Sequence, residues 1–339
     1  MDYVHKMSTL PPFEKIVSFE SVLHAWQEFL HGKKQKADVA EFASDFISNL
    51  SKLQRDLASG SYGHGGYYHF RISDPKPRDI HKASVCDRIV HHLIYRALYP
   101  HFDRYFIHDS YSCRVGKGTH RALRRFKVFS DSVSKGNTRT CWVLKCDIRK
   151  FFASIDHNAL FSILERHQLD ECLAQIIVEI VRSFSAAKPG VGLPLGNLTS
   201  QILVNIYMNE FDQFVKRKLG ARYFLRYADD FVIFSENKAE LEKILPQMQA
   251  FLKDTLQLEI HPDKVFLQTV ASGVDFLGWV HFPTHRVLRT KTKQRMFKAI
   301  KHDSEPAVLS SYLGMLNHGN AYKLQQEIRD IYSELEHIK

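Results

Sequence analysis

Two adjacent acids stand inside an apolar stretch, Tyr223-Phe224-Leu225-Arg226-Tyr227-Ala228-Asp229-Asp230-Phe231-Val232-Ile233-Phe234. The flanking runs are rich in aromatic and β-branched residues, and the break between them has the size of a tight turn. The stretch therefore reads as a β-hairpin with the acids at its tip. Neighbouring carboxylates in a buried hairpin repel one another and cost desolvation energy unless a cation neutralises them. Taken alone, the pair fits either a divalent-metal site for phosphoryl chemistry or a solvated Asp-Asp turn. Asp147 bears on that choice, because it ends a second short strand pattern, Trp142-Val143-Leu144-Lys145-Cys146. Phosphoryl transfer between nucleotides needs two divalent ions about 4 Å apart. Mg²⁺ takes carboxylate, water and phosphate oxygens. Carboxylates from two adjacent strands are the smallest protein contribution to such a site, and Asp147, Asp229 and Asp230 supply them if the two strands are neighbours.

The composition suits such a partner. The chain has 339 residues, 44% hydrophobic and 25% charged, with a net charge of +10. That length supports two or three subdomains around a substantial core. The cationic excess favours a polyanion, either nucleic acid or an anionic membrane surface. No run approaches the roughly 18 to 20 apolar residues that span a bilayer, and the N-terminus lacks the apolar core of a signal peptide. A cytoplasmic protein is expected. Cys86, Cys113, Cys141, Cys146 and Cys172 are scattered without CxxC spacing and read as free thiols. His91-His92 reads as a helix-surface or nucleic-acid-facing pair.

The elements that must position the acids follow from periodicity. Residues 1–65 show helical spacing, at Phe19, Val22, Leu23 and Trp26 and again at Phe42, Phe46, Leu50 and Leu53,. The basic turn 31–36 between them is either a solvated loop or a phosphate contact. Residues 67–72 read as a strand leading into a Pro-stiffened turn that holds Lys76 and Arg78. A helix through Val85, Ile89, Leu93 and Leu98 follows. Residues 110–122 form a Gly-flanked basic loop, with Arg114 and Lys117, opening a helix that carries Arg121. It suits phosphate but lacks Walker A spacing. An irregular loop over 188–197 feeds a helix from about Thr199 to Leu219, stopped by Gly220. Pro246 should kink the next helix. Residues 273–282 form a second hairpin. The tail from about Arg286 reads as basic and helical, with Arg289, Lys291 and Lys293 on a nucleic-acid face.

The ordered motifs resemble those of reverse transcriptases. Residues 144–152 (Leu-Lys-Cys-Asp-Ile-Arg-Lys-Phe-Phe) are similar to the family's first palm motif, and 193–201 (Leu-Pro-Leu-Gly-Asn-Leu-Thr-Ser-Gln) to its second. Tyr227-Ala228-Asp229-Asp230 is its YxDD box, residues 258–264 and 276–279 resemble the two motifs after it, and 75–78 and 110–122 resemble the fingers motifs. The resemblance runs in order from about residue 67 to 285. It implies an α+β right-hand polymerase fold: a helical N-terminal extension over 1–65, fingers over 66–140, a palm with an antiparallel sheet over 141–284 (part of the fingers inserted around 158–190), and a small helical thumb over 285–339.

The resemblance also implies roles. Asp147, Asp229 and Asp230 would hold two Mg²⁺ or Mn²⁺ ions, helped by the Ile148 carbonyl. Phe152 would be a steric gate against the ribose 2′-OH. Lys76 and Arg78 would grip the triphosphate, and Leu195 and Gly196 would line the dNTP pocket. Lys264 would sit near the leaving pyrophosphate or brace the palm. Arg114, Lys117 and Arg121 would hold template or fingers structure. The expected partners are dNTPs, a template RNA and its cDNA, with no membrane.

Most reverse transcriptases place Gln at the position of Leu195 and Pro at that of Gln201. The form found here resembles that of diversity-generating retroelements, whose enzymes copy RNA with errors at adenines and work with a small, basic, helical accessory oligomer. Leucine cannot hydrogen-bond an incoming nucleotide, so checking of the nascent pair should loosen. Two other functions compete: a stand-alone bacterial reverse transcriptase in antiphage defence with a noncoding RNA, and an idle RNA-binding splicing factor. The intact acids, and the short segment after Thr284 with no long maturase or nuclease domain, argue against the last.

Overall fold

The computed structural model describes residues 10–73, 77–302 and 305–338. The chain divides into two compact units, one of residues 1–108, 148–220 and 247–260 and the other of residues 109–147, 221–246 and 261–339.

The first unit is mainly helical. Helix Phe19–Phe29 opens on Ser18, whose hydroxyl caps Ser21 N at 3.3 Å, and buries Val22, Trp26 and Phe29 on one stripe,. Helix Phe46–Ala58 adds Leu50, Leu53 and Leu57, as their spacing predicts. The central helix Val85–Phe102 is capped by Ser84 and packs against Leu198–Gln213. The latter is buried on most sides, with polar Thr199, Ser200, Asn205 and Asp212 among its buried residues, and ends in a π-helical turn, Phe214–Lys218, before Gly220 at φ +67. One hairpin pairs β1 (Tyr67–Ile72) with β2 (Arg78–Ala83), so Arg78 lies on a strand, while residues 74–76 of the turn expected there lie outside the described residues. His91 departs from expectation. It is 1% exposed, and its Nδ1 lies 2.7 Å from Thr199 Oγ1, so it ties the two long helices together instead of facing solvent or nucleic acid. Burial holds its ring well below the usual histidine range, to about 3, and it stays neutral.

The second unit is built on an antiparallel sheet of β3 (Trp142–Asp147), β4 (Phe224–Tyr227), β5 (Asp230–Ser235) and β6 (Phe266–Thr269), in the order β4-β5-β3-β6. Helix Thr119–Ser134 covers one face. Its Ala122, Phe126, Phe129 and Val133 interlock with Val143, Leu225, Val232 and Phe234. A smaller sheet, β7 (Val274–Phe276), β8 (Trp279–His281) and β9 (Arg286–Leu288), contributes Val274 and Phe276 to the same core. Leu277 and Gly278 both take positive φ, +50 and +85, as a two-residue hairpin turn between β7 and β8 requires.

The basic tail is not helical from its start. Arg286 lies on β9, and the helix begins at Thr290. Helices Thr290–His302, Pro306–Leu316 and Tyr322–Ile338 then close a second apolar cluster around Trp279, Met296, Leu316 and Ile328. Helix Lys238–Leu256 runs through Pro246. The five cysteines are all free thiols, and no helix of the described residues is long and apolar enough to cross a membrane.

Candidate active site

The β4–β5 hairpin turns through Ala228 and Asp229, because Tyr227 pairs with Asp230. Ala228 takes φ +54, a left-handed backbone that costs an alanine roughly 1–2 kcal/mol. Arg226 offsets part of that cost. Its Nη1 donates to Ala228 O at 3.1 Å and its Nη2 to Ser110 Oγ at 3.1 Å. At 1% exposure it heads the fully buried side chains of the described residues by size. Segment 109–111 covers it and lies parallel to β4: Arg226 N donates to Asp109 O at 2.9 Å, and Tyr111 N donates to Arg226 O at 3.0 Å. Asp109 is itself clamped by Arg125, through Nε to Oδ1 at 2.7 Å and Nη2 to Oδ2 at 3.3 Å. The start of the basic loop is thereby fastened to the strand that presents the acids.

Asp147 ends β3 and stands opposite Asp230 in the β3–β5 register, so all three acids come to one end of the sheet. A lysine answers two of them. Lys264, on the 3₁₀ turn Pro262–Lys264, donates from Nζ to Asp147 Oδ1 at 2.6 Å. Lys145 Nζ is 3.4 Å from Asp230 Oδ1, an ion-pair distance without hydrogen-bond geometry. The Asp230 side chain keeps 19% of its surface, yet Oδ1 itself is enclosed and has no hydrogen-bond partner. Burial raises the Asp230 carboxyl to about 7; Lys145 opposes the rise, and the charges of Asp229 and Asp147 add to it,.

As the side chains stand, no three His, Cys, Asp or Glu among the described residues are gathered closely enough to hold a metal ion. The donor set nevertheless fits a hard divalent cation. It offers carboxylate oxygens on paired strands, one of them enclosed and unsatisfied, and both ammonium groups sit where positive charge is needed,.

A pH dependence follows. Unfolded, the Asp230 carboxyl titrates near 4. Folded, it titrates near 7, so between these values the native state binds more protons and loses stability as pH rises. In divalent-free buffer, Asp230→Asn is expected to melt higher than the wild type above pH 7, by an amount worth on the order of a few kcal/mol. That difference should shrink to nothing near pH 4. Parallel melting curves across the range would refute the enclosed-carboxylate account.

The remaining expected residues fall in two groups. In the second unit, Arg114 Nη1 donates to Ser110 O at 3.1 Å, and Lys117 lies over the Tyr111 ring at 5.1 Å. Arg121 is exposed. Arg289 donates to Asp275 at 2.9 Å and Lys293 is 4.0 Å from Glu327, while Lys291 is exposed. The expected nucleic-acid face is thus partly engaged within the protein. In the first unit, Arg78 is exposed on β2 and Lys76 lies outside the described residues. Ile148 pairs with Ile260 in an isolated bridge. Phe152 meets Phe151 edge-on at 5.5 Å, and its carbonyl accepts Leu193 N at 2.7 Å. Gly192 N reaches Ile155 O at 2.7 Å, which fastens the loop carrying Leu195 to the Phe151–Ser154 turn. Leu195 is half-buried. Gly196 takes φ +109, with the position of a would-be Cβ 3.6 Å from Ile80 on β2.

Residues 73–281, more than half of the chain, match the family model described as "Reverse transcriptase (RNA-dependent DNA polymerase)". The chain belongs to the reverse transcriptase family. It is 27% identical to protein YkfC of Escherichia coli K12 over 72% of each chain. It is 22% identical to the group II intron-encoded protein LtrA of Lactococcus lactis over 80% of its own length and 55% of that protein. Apo telomerase from Candida tropicalis shares its fold, with a TM-score of 0.54 at 14% identity over 86% of this chain and 62% of that one. The architecture is therefore the right-hand polymerase fold, α+β with antiparallel sheets. The chain spans little more than half of LtrA and less than two thirds of that telomerase chain. Members of the family use divalent metal ions.

Reading the family motifs passed over Arg226, Asp109 and Lys145. The available signal was an arginine in an otherwise apolar strand next to the acid pair, a position where burial is costly unless the charge has partners.

Proposed function

We propose that the chain is an RNA-directed DNA polymerase that copies a template RNA into cDNA, with Asp147, Asp229 and Asp230 as ligands for two Mg²⁺ ions. The observation that carries this reading is the pairing of Asp147 with Asp230 beside the Asp229 turn, with an enclosed Asp230 oxygen that has an ion-pair neighbour in Lys145 but no hydrogen-bond partner. When bound, such ions activate the attacking 3′ oxygen and neutralise the leaving pyrophosphate. The chain's own residues position the substrates. Arg78, with Lys76, takes the triphosphate as a charge-assisted hydrogen-bond donor. Phe152 crowds the ribose 2′ position, with the Ile148 carbonyl near the reacting end. Lys264 braces Asp147 through one carboxylate oxygen, and its ammonium lies on the side from which the pyrophosphate would leave. Arg114, Lys117, Arg121, Arg289, Lys291 and Lys293 supply backbone contacts to template and product. We assign 1–65 to the N-terminal extension, 66–140 to fingers, 141–284 to palm with part of the fingers inserted around 158–190, and 285–339 to thumb.

The finer reading is error-prone copying at template adenines, as in a diversity-generating retroelement, with a small basic accessory oligomer as partner. It rests on Leu195, a half-buried side chain with no hydrogen-bonding group beside Gly196. Sequencing cDNA made on a primed RNA of defined sequence tests it. Leu195→Gln should lower misincorporation opposite adenine about 3- to 10-fold, the discrimination that one hydrogen bond supplies. An unchanged error spectrum removes Leu195 from the fidelity argument. In the same assay Phe152→Ala should admit rNTPs, and continued exclusion would remove Phe152 as the gate.

A further inference from the structure

A cavity of about 500 Å³ lies in the second unit between helix Thr119–Ser134, the β8–β9 turn and the link before helix Tyr322–Ile338. None of the acids discussed above lines it. Its wall includes Arg124, Lys127, His285, Arg286 and His318, and none of the described residues lining it is acidic. Lys127 is paired to Asp131 and Arg286 Nε donates to the His318 carbonyl, which leaves the guanidinium groups of Arg124 and Arg286 with no acidic residue in the wall. Burial and then Arg124 push the Arg286 guanidinium down. Burial followed by His120, Arg286 and Arg124 pushes His318 down. Like charges gathered in a partly desolvated hollow without a counter-charge raise the free energy of the empty cavity, and an anion lowers it.

The polar atoms of the wall are also incomplete. Ser130 and His281 are 2% and 3% exposed, and Ser130 Oγ and His281 Nε2 have no hydrogen-bond partner. His281 packs against Phe126 with ring centroids 4.1 Å apart, and burial with Arg286 lowers its pKa to about 3. It is a neutral ring. A third feature is aromatic. Phe282 and His285 stack at 4.9 Å with planes 15° apart, and His285 is exposed, so a further ring can extend the stack. Phe282 is held in place by Gly273, where any Cβ would fall 2.8 Å from the Phe282 ring.

Cations without counter-ions, an extendable ring stack and unsatisfied buried polar atoms together describe a ligand with a phosphate and an aromatic base. Guanidinium groups match phosphate geometry, ring faces stack bases, and the volume lies in the usual range for small-molecule sites. We propose that this cavity binds a nucleoside 5′-phosphate, with the phosphate on Arg124 and Arg286 and the base against the Phe282–His285 stack. The same chemistry occurs in a free mononucleotide and at the 5′ end of a strand.

Calorimetry and ligand-observed NMR on the full chain in EDTA test the proposal with AMP, adenosine and inorganic phosphate. AMP should bind more tightly than either fragment. Arg124→Gln should weaken AMP about tenfold, as the loss of a charge-assisted hydrogen bond predicts. Phe282→Leu, which retains packing on Gly273, should weaken AMP and leave phosphate binding unchanged, and Asp229→Asn should leave AMP binding intact. Melting temperatures of the variants check that each is folded. A 5′-phosphorylated oligoribonucleotide that outcompetes its 5′-hydroxyl counterpart for the AMP site identifies a strand end as the source; equal competition identifies the free nucleotide. No AMP binding, an Arg124→Gln variant that binds like the wild type, or loss of binding in Asp229→Asn would overturn the assignment.

Discussion

Asp229→Ala is expected to reduce dNTP incorporation on a primed RNA template by at least about a thousandfold, the scale on which removing an electrostatic contributor to a phosphoryl transition state acts. RNA binding should persist, because the proposed template contacts rest on arginines and lysines elsewhere. Asp229 sits in the two-residue turn between β4 and β5 and is half-buried, so truncating it leaves the strand register intact. A filter-binding assay alongside primer extension separates the two properties. Synthesis that survives the substitution would remove Asp229 from the proposed metal ligands, and joint loss of binding and synthesis would point to misfolding.

The second large effect is expected at Arg226. Replacing it by Met keeps the stem but removes donors to Ala228 O and Ser110 Oγ. Acceptors left unsatisfied in a buried site cost about 1–3 kcal/mol each. The variant should therefore lose on the order of 3 kcal/mol and melt about 4 °C lower. Incorporation should also fall at temperatures where the variant remains folded, because the left-handed Ala228 turn that carries Asp229 loses its brace. A melting temperature within about 2 °C of the wild type would show that the arginine is a passenger.

Asp147 and Asp230 show why the site was legible in the residues. Their strands are short apolar runs that terminate on the acids, and antiparallel pairing of two such strands can place their acidic ends together,. The Ala228–Asp229 turn, the helix Val85–Phe102 and the hairpin over 273–282 were readable for the same reason, since each is set by contacts between residues close in sequence. Residues that act across long separations were not. His91 looked like a surface residue because its partner, Thr199, is over a hundred positions away. Arg286 looked helical because its neighbours are basic and helix-forming, yet its backbone is taken into a ladder with β8. Lys293 and Arg289 looked free to meet a phosphate backbone, and Glu327 and Asp275 meet them first.

Residue type and order therefore settled the family and the fold class and singled out Asp147, Asp229 and Asp230 as the proposed ligands, because these depend on local periodicity and on motifs that recur in sequence. Three-dimensional packing alone decided the electrostatic state of those acids. Lys264 reaches Asp147 across 117 positions, and Arg226 reaches Ser110 across 116. Enclosure of the Asp230 oxygen likewise depends on what the folded chain places around it. Desolvation and charge pairing are set by distance in space, which the order of residues along the chain does not encode.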